Sequence, residues 1–256
     1  MNKLILAVII QARMGSTRLP NKVLSDIIGK PMLWHLVNRL QYSKLNPEII
    51  IATTISERDR KIIALADKLN LKSYAGSIED VLDRYYQTAL KFNAEIIVRI
   101  TADCPLMDPE VFDKVVKSFL EGDSNYTSNT HPPTFPDGLD VEVFSFKTLM
   151  KTWKEAQLSS EREHVTPYMW NHPDIFKLDN VYNNEDLHEL RWTVDEEKDL
   201  VFVKEIFKNL YPKKKIFLMN DIIELLREKP ELIEINNKIP MNEGYLKSLQ
   251  KDKMKN

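Results

Sequence analysis

Three cationic side chains lie in one glycine-containing stretch near the start of the chain. Residues 11–22 contain no acid and carry three cations, two hydroxyl groups and one glycine: Arg13, Arg18, Lys22, Ser16, Thr17 and Gly15. Arginine suits bidentate contact with phosphate and lysine acts as a point charge, while backbone N–H groups turning around Gly15 can face phosphate oxygens. The stretch therefore predicts a phosphate-binding loop, although it has neither the GxxxxGK[ST] nor the GxGxxG spacing. A solvated basic loop explains its composition equally well.

Two aspartates, Asp103 and Asp195, each follow a predicted strand. Ligands of an open parallel sheet bind beyond the carboxyl ends of its strands, and a magnesium ion that bridges phosphates takes carboxylate oxygens there. Taken alone, Asp103 reads as a turn residue before Pro105 and Asp195 as a helix N-cap. Together with the basic loop, the two acids predict a metal–triphosphate site.

Short β-branched runs alternate with amphipathic patterns through the first 120 residues. The patterns predict strands over 4–10, 48–53, 72–75 and 95–101, and helices from Pro31 and over 62–69, 79–92 and 108–120. Ser56 with Asp59 is typical of a capping arrangement for the second helix. Four strand–helix units predict an α/β fold with a mainly parallel, doubly wound sheet.

The alternation ends after residue 122. Beyond it the patterns predict strands over 141–144, 175–181, 188–194 and 215–218, and helices over 145–157, 160–170, 195–209 and from Asn220. We interpret residues 1–237 as a single domain in which 123–185 form an inserted arm for substrate binding and dimerisation. Residues 238–256 are lysine-rich and predict a loosely docked or frayed tail.

Composition excludes several classes of protein. The 36 Lys and Arg residues balance 38 Asp and Glu residues to a net charge of −2, which argues against a nucleic-acid coat or a polybasic membrane binder. Cys104 is the only cysteine, so neither an internal disulfide nor a cysteine-rich zinc site can form. The longest apolar run, residues 4–10, is too short to span a bilayer and precedes no cleavage pattern. We therefore expect a cytoplasmic protein.

Six segments in this order resemble the sugar cytidylyltransferases, above all their spore-coat-polysaccharide branch, and more distantly the enzymes that activate 3-deoxy-manno-octulosonate and acylneuraminate. The segments are IIQARMGSTRLPNKVL…GKPML at 9–33, GSIEDVLDRY at 76–85, RITADCPLMDP at 99–109, PDGLDVEVF at 136–144, SEREHVTPY at 160–168 and RWTVDEEKDL at 191–200. The resemblance implies a nucleotidyltransferase fold related to the GT-A glycosyltransferases. The implied reaction is that CTP and a sugar give CMP-sugar and pyrophosphate, with Mg²⁺ as the cofactor. It also implies a homodimer.

The resemblance assigns roles to particular residues. Arg13 and Lys22 would hold the triphosphate, Asp103 and Asp195 would bind magnesium, and Asp103 joins Arg13 and Lys22 in the catalytic set. The remaining nucleotide contacts would come from Gln11, Ala12, Gly15, Ser16, Asn21, Gly76, Ser77 and Asp80. Backbone near Gln11 and Ala12 would read the cytosine. For Asp80 the alternative is a surface ion pair with Arg84, four residues along a helix.

The acceptor sugar would contact a second group of residues: Asp137, Asp140, Glu142, Glu163 and His164. A polar turn explains the first three equally well, and a solvated helix start explains Glu163. Where the octulosonate branch has Gly-Asp-Glu-Pro, residues 102–105 read Ala-Asp-Cys-Pro, which leaves the sugar open. A GT-A glycosyltransferase and a non-catalytic nucleotide-binding protein are the alternative functions, although residues 101–103 lack the Asp-x-Asp of the former.

Overall fold

A computed structural model describes residues 5–255 of the protein, and its backbone is built around a seven-stranded sheet. The strands in chain order are β1 (Leu6–Gln11), β2 (Glu48–Thr54), β3 (Lys72–Gly76), β4 (Ile96–Thr101), β5 (Tyr126–Ser128), β6 (Glu142–Ser145) and β7 (Leu178–Asn180). Their spatial order is β3-β2-β1-β4-β6-β5-β7. The first four are parallel to one another, because each is followed by a helix that crosses back over the sheet.

Ten α-helices among the described residues surround this sheet. They are α1 (Met32–Leu40), α2 (Arg60–Lys68), α3 (Val81–Lys91), α4 (Pro109–Glu121), α5 (Phe146–Glu155), α6 (Ser159–His164), α7 (Pro167–Trp170), α8 (Glu197–Leu210), α9 (Met219–Glu228) and α10 (Glu243–Lys255). The predicted α/β class with a mainly parallel sheet is confirmed. No helix in the described part of the chain combines the length and apolar character that crossing a bilayer requires.

The central strand β1 is apolar on both faces because both faces are covered. Val8 and Ile10 pack into the cluster that holds α1 and α4, whereas Ala7 and Ile9 pack into the cluster formed with α3 and α5. Continuous burial of this kind explains why the strand reads as an unbroken aliphatic run. Residue 4, which the sequence predicted as the start of this strand, lies outside the described residues.

Residues 123–185 continue the main sheet. Their three strands, β5, β6 and β7, extend it beyond β4, and only β6 is antiparallel to its neighbours. The register pairs Arg99 of β4 with Glu142 of β6. Because β6 is antiparallel to β4, the segment that precedes β6 lies at the same end of the sheet as the segment that follows β4.

Two predicted strands are wrong. Residues 188–194 make one isolated bridge, Asp137 to Arg191, because this segment binds the turn at 137 and then leaves to begin α8. Residues 215–218 are not strand either: the Phe217 ring is buried and its carbonyl accepts a hydrogen bond from Arg39 at 2.5 Å. In both segments, buried aliphatic and aromatic residues give the sequence pattern of a strand, although neither segment pairs with a neighbouring strand.

The predicted helix 160–170 is broken into α6 and α7. Val165 ends α6 with φ at 75°, a conformation that a β-branched residue rarely adopts. Thr166 then donates a hydrogen bond to the buried Glu142 at 2.5 Å. A single helix could not place Thr166 there, so the tertiary contact overrides the local helical pattern.

The sequence predicts a loosely docked or frayed tail, whereas the described part of residues 238–256 is docked and helical from Glu243 onward. Helix α10 packs on α6: Asp252 is buried and accepts a hydrogen bond from the Ser160 N–H at 3.2 Å. The buried hydroxyl of Ser248 donates to Glu163 at 2.8 Å and lies 3.0 Å from Nε2 of His164. Residue 256 lies outside the described residues.

Protonation of His164 should loosen this packing. Burial, aided by the nearby Arg99 guanidinium, lowers the pKa of His164 to about 4, so the folded protein holds the neutral ring while the unfolded chain takes up a proton below about pH 6.5. We expect the unfolding free energy to fall between pH 7 and pH 5 by at most about 2 kcal/mol through this group. Urea unfolding of the wild type and His164→Gln at both pH values measures the difference.

The His164→Gln variant should lose that part of the pH dependence. His188→Gln is the matched control, because His188 is an exposed residue that pairs with Asp186, which is also exposed. Equal pH dependence in the wild type and His164→Gln would contradict the prediction.

Candidate active site

The basic loop leaves the carboxyl end of β1 and is closed by its own backbone. The Asn21 N–H donates to the Met14 carbonyl at 3.2 Å, and Asn21 takes a left-handed conformation at φ 62° before a short 3-10 helix, Lys22–Leu24. The buried Asp59 accepts the Met14 N–H at 2.8 Å. Asp59 therefore anchors this loop. The capping arrangement predicted for Ser56 with Asp59 is wrong, because neither side chain makes a cap hydrogen bond.

Lys22 brings the two predicted aspartates together. Its Nζ donates to Asp103 Oδ2 at 2.9 Å, to Asp195 Oδ1 at 2.8 Å and to the Val194 carbonyl at 2.7 Å. All three donors of the ammonium group are therefore used. Asp103 and Asp195, separated by more than ninety residues in the chain, lie at one end of the sheet and face the loop that carries Lys22.

Electrostatics in this cluster favour the charged forms. Burial works to lower the pKa of Lys22, but the carboxylates of Asp103 and Asp195 outweigh burial and raise it. Burial likewise opposes ionisation of Asp103, yet the Lys22 ammonium lowers the pKa of that carboxyl to about 2. Cys104 beside it is buried in the core cluster that includes Val98 and Ile100, which is a packing role. Burial and the Asp103 charge raise the pKa of its thiol well above the usual range.

Asp195 is held by further cations that the sequence patterns did not single out for it. Arg18 Nη2 lies 2.9 Å from Asp195 Oδ1, and Arg191 Nη2 lies 3.2 Å from Asp195 Oδ2. Arg191 is itself fixed by the fully buried Asp199, at 2.9 Å from Nε. Asp199 also accepts the N–H groups of Asp195 and Glu196, each at 2.9 Å. Asp199 lies in the first turn of α8, where an acidic residue is ordinarily explained by helix capping. The sequence pattern therefore does not reveal its contact with Arg191.

The turn before β6 packs against the segment that leads into Asp195. Gly138 has φ at +107°, and a Cβ there would lie 2.7 Å from the Thr193 nitrogen, so only glycine allows the close approach to the segment leading into Asp195. Burial raises the pKa of Asp137 to about 6 against the opposing effect of Arg191, and the Asp103 and Asp195 charges add to the increase.

Asp140 completes this acidic turn. The buried side chain of Asn129 donates to the carbonyl of Leu139 and accepts the N–H of Val141, both at 2.8 Å, and so fixes the backbone on either side of Asp140. Burial and the neighbouring Asp137 raise the pKa of the Asp140 carboxyl well above its usual range.

Three predicted acceptor contacts lie elsewhere in hydrogen-bonded networks of their own. Glu142 is buried and binds Arg99, and its Oε1 also accepts from the Tyr126 hydroxyl at 2.6 Å. Glu163 and His164 bind Ser248 of α10 instead. None of the three has a hydrogen bond or ion pair with Asp103 or Asp195.

The predicted nucleoside-side residues lie at the end of β3 and the start of α3. Asp80 caps α3 by accepting the Asp83 N–H at 2.9 Å, and it pairs with Arg162 at 2.5 Å. The alternative of an Asp80–Arg84 surface pair is wrong, because Arg84 is fully buried and donates to the Ser77 carbonyl at 3.0 Å. The Ser77 hydroxyl accepts the Asp80 N–H at 3.0 Å.

The remaining predicted nucleotide contacts belong to the basic loop. Gln11 ends β1, and the Ala12 N–H donates to the Ala52 carbonyl of β2 at 3.0 Å. Ser16 accepts the Leu19 N–H at 3.2 Å, and open space surrounds Gly15. Arg13 is half-buried and makes no ion pair with any described residue. The loop therefore keeps one guanidinium group without a protein counter-charge.

The donor set at this end of the sheet fits magnesium in company with a phosphate ligand. Within residues 5–255, no three His, Cys, Asp or Glu side chains are grouped to hold a metal ion by themselves. Magnesium commonly takes only one or two carboxylates and fills its other positions with water and substrate phosphates. Asp103 and Asp195, with side chains 24% and 22% exposed, provide those two carboxylates around a point that already attracts a cation, Lys22 Nζ.

Comparison with known proteins gives the family. A family model described as cytidylyltransferase matches residues 7–239. The chain belongs to the cytidylyltransferase family. It is a CTP-dependent nucleotidyltransferase, as the sequence motifs predicted, and the match to 7–239 takes in every predicted site residue.

Individual relatives of this cytidylyltransferase agree with that assignment. The chain is 31% identical over 230 residues to the spore coat polysaccharide biosynthesis protein SpsF of Bacillus subtilis, covering 87% of this chain and 94% of that protein. It is 36% identical over 118 residues to the 3-deoxy-manno-octulosonate cytidylyltransferase of Lawsonia intracellularis, covering 44% of this chain and 45% of the other.

A solved structure has the same architecture. The structure of a cytidylyltransferase from Leptospira borgpetersenii superimposes with a TM-score of 0.87 at 32% sequence identity, covering 93% of this chain and all of that one. The nucleotidyltransferase fold that the resemblance implied is confirmed.

The buried carboxylate of Asp199 should be essential for stability. Asp199→Asn leaves the Arg191 guanidinium without its buried counter-charge, so we expect the unfolding free energy to fall by about 3 kcal/mol. Asp186→Asn is the control, because its exposed pair with His188 should change stability by no more than about 0.5 kcal/mol. Chemical denaturation monitored by tryptophan fluorescence measures both, and a loss below about 1 kcal/mol in Asp199→Asn would contradict the prediction.

Proposed function

We propose that the protein is a Mg²⁺-dependent cytidylyltransferase that transfers CMP from CTP to a sugar, with release of pyrophosphate, for the synthesis of a surface polysaccharide or other glycan. The observation that carries the proposal is the Lys22 ammonium between Asp103 and Asp195 at the end of the sheet. The relatives named for spore coat polysaccharide biosynthesis and for 3-deoxy-manno-octulosonate activation support a sugar as the acceptor.

The cationic loop suits the triphosphate. Arg13 has no protein counter-charge and is free to bind phosphate oxygens of CTP. Arg18 pairs with Asp195 but is partly exposed, so it can exchange that contact for a phosphate oxygen. Lys22 contacts the two aspartates and belongs to the same loop as these arginines, so it can neutralise charge that develops on the departing pyrophosphate. Magnesium bound by Asp103 and Asp195 would supply further neutralisation of phosphate charge.

The reaction needs positioning more than covalent chemistry. A hydroxyl oxygen of the sugar forms a bond to the α-phosphorus while the bond from that phosphorus to the oxygen bridging the α- and β-phosphates breaks. Pyrophosphate leaves with that oxygen, and the hydroxyl proton passes to water. Because phosphoryl transfer of this kind depends on alignment and charge neutralisation, the protein contributes a rigid array of charges. The buried Arg191–Asp199 pair provides that rigidity behind Asp195.

Asp137 and Asp140 are the residues that we assign to the acceptor sugar. Both belong to the turn that packs against the segment leading into Asp195, and carboxyl groups are suited to binding sugar hydroxyls. Glu142, Glu163 and His164 are not included, because each already has a hydrogen-bond partner within the protein: Tyr126 for Glu142, and Ser248 for the other two. The homodimer and the cytoplasmic location stay predictions.

A pyrophosphate-release assay tests the proposal. The purified protein, CTP and Mg²⁺ are combined with a panel of 2-keto-3-deoxy sugar acids, neutral sugars and sugar phosphates. We expect release with at least one class of acceptor and none when EDTA replaces Mg²⁺. A folded protein that releases no pyrophosphate with any class would contradict the proposal.

Removal of the Asp103 charge should abolish most of the activity and spare the fold. Asp103→Asn deletes one of the two carboxylates that we assign to magnesium, so kcat should fall by about 10²–10³-fold. Asp123→Asn is the control, because Asp123 is exposed and pairs only with Lys177. Initial rates of pyrophosphate release and far-ultraviolet circular dichroism measure both variants. A folded Asp103→Asn variant with wild-type kcat would be incompatible with the assigned role.

A further inference from the structure

Asp59 is a buried acid to which the proposed chemistry gives no part. Its exposed fraction is 2%, and it ends the short 3-10 helix Glu57–Asp59 that precedes α2. Its Oδ1 accepts the N–H of Met14, 45 residues away in the chain, at 2.8 Å, and its Oδ2 accepts the hydroxyl of Thr54 at the end of β2. A buried carboxylate is costly unless hydrogen bonds compensate it, so these two bonds hold Asp59 in one position.

The basic loop is held at both of its ends. Asp59 accepts the Met14 N–H, and the Met14 carbonyl accepts the Asn21 N–H at 3.2 Å. The side chains of Met14 and Val23 are buried in the same apolar cluster. Residues 15–20 therefore form a loop between two fixed points, and Asp59 ties that pair of points to the end of β2.

The two fixed points lie next to the cations that we assign to the triphosphate. Arg13 directly precedes Met14, and Lys22 directly follows Asn21. Because adjacent residues share a planar peptide group, holding the two points also holds the backbone from which the cations project. One buried carboxylate thus acts on both cations without a contact to either side chain.

The loop between the fixed points keeps its backbone donors available. The N–H groups of residues 15–18 donate no hydrogen bond to a described residue. Successive N–H groups of this kind form concave sites for anions. A loop whose ends are ordered in advance loses less conformational entropy when it closes around a ligand.

Asp59 also places a negative charge near two guanidinium groups. Burial and then the positive charge of Arg13 lower the pKa of Arg84, whereas the Asp59 carboxylate is among the groups that raise it. Asp59 nevertheless forms no ion pair with a described residue, since its oxygens face Met14 and Thr54. It therefore reduces the repulsion between the two arginines and leaves the Arg13 guanidinium available for phosphate.

We infer that Asp59 is a positioning residue for the triphosphate: its hydrogen bond to the Met14 N–H holds the loop, with Arg13 and Lys22 at its two ends, in the binding conformation before CTP arrives. The inference rests on the proposed function, since it assumes that this loop binds the phosphates of CTP. In this role Asp59 acts through Met14 and touches neither the nucleotide nor the metal.

Isothermal titration calorimetry with CTP and with CMP, both in Mg²⁺, tests this role. CMP lacks the β- and γ-phosphates, so the ratio of the two affinities measures what the loop adds. Asp59→Ala removes both hydrogen bonds, and its affinity for CTP should fall roughly tenfold while its affinity for CMP stays within about twofold of the wild-type value.

A conservative variant and a matched control accompany this measurement. The amide of Asp59→Asn still offers an oxygen to the Met14 N–H and a donor to the hydroxyl oxygen of Thr54, so it should restore most of the affinity for CTP. Asp67→Ala removes an exposed aspartate of α2 and should keep both wild-type affinities. Equal losses in Asp59→Asn and Asp59→Ala would overturn the role of the hydrogen bonds.

The outcomes separate this inference from the function on which it rests. A folded wild type that binds no CTP in Mg²⁺ overturns both. A wild type that releases pyrophosphate with a sugar acceptor but binds CTP no more tightly than CMP overturns the inference alone. Equal losses of CTP and CMP affinity in Asp59→Ala, with a lower melting temperature, would indicate a merely structural role and would also overturn it.

Amide hydrogen exchange of the wild type, followed by NMR without nucleotide, is a test that needs no variant. After correction for intrinsic rates, the amides of Met14 and Asn21 should exchange at least roughly tenfold more slowly than those of residues 15–18. Addition of CTP with Mg²⁺ should then slow residues 15–18. If Met14 and Asn21 exchange as fast as residues 15–18 before nucleotide is added, the loop is not held in advance, and the inference is overturned even if Asp59→Ala fails to fold.

Discussion

The ammonium group of Lys22 joins three segments that are far apart in the sequence. Its contacts with Asp103, Asp195 and the Val194 carbonyl are all 2.9 Å or shorter. Without that cation, two carboxylates at one end of the sheet would repel each other, and burial would favour their neutral forms. The rest of the site is built around this neutralisation: Arg18 and Arg191 add positive charge on Asp195, and Asp199 fixes Arg191 from the interior.

The site has an inner layer of buried residues that hold it rigid and an outer layer of partly exposed residues. Arg191 and Asp199 are buried and hydrogen-bonded on most of their polar atoms, which makes removal of either one costly. Asp103, Asp195 and Arg13 keep partly exposed side chains at the surface of that layer. A ligand can therefore exchange contacts with the outer groups while the inner pair keeps the backbone of Asp195 in place.

Sequence patterns predicted the parallel half of the sheet well because each strand there is a continuous apolar run followed by an amphipathic helix. They also identified Asp103 and Lys22, since a strand end and a basic loop carry a local signal. Asp195 was identified as well, although the segment before it is not a strand and makes one isolated bridge. Arg191, Asp199 and Asp59 were missed as supporting residues, because their partners are distant or their positions imitate helix caps.

Errors in the second half of the chain have a common physical origin. Residues 188–194 and 215–218 are buried without a partner strand, and burial alone cannot distinguish such segments from true strands. Glu142 shows a related difficulty. An acid close to a glycine turn suggests ligand binding, but Glu142 pairs with Arg99 on the neighbouring strand, and only the strand register reveals that partner.

The contacts of Asn236 and of Glu243 in α10 imply an order of completion during synthesis of the chain. Arg18 lies near Glu243, at 3.6 Å, and Asp199 accepts a hydrogen bond from Asn236 at 2.9 Å. Chains emerge from the ribosome amino end first, so every residue assigned to the nucleotide and metal is translated before these two partners. A nascent chain stalled near residue 230 would therefore contain the whole set of reactive groups yet lack the last contacts that hold them in register.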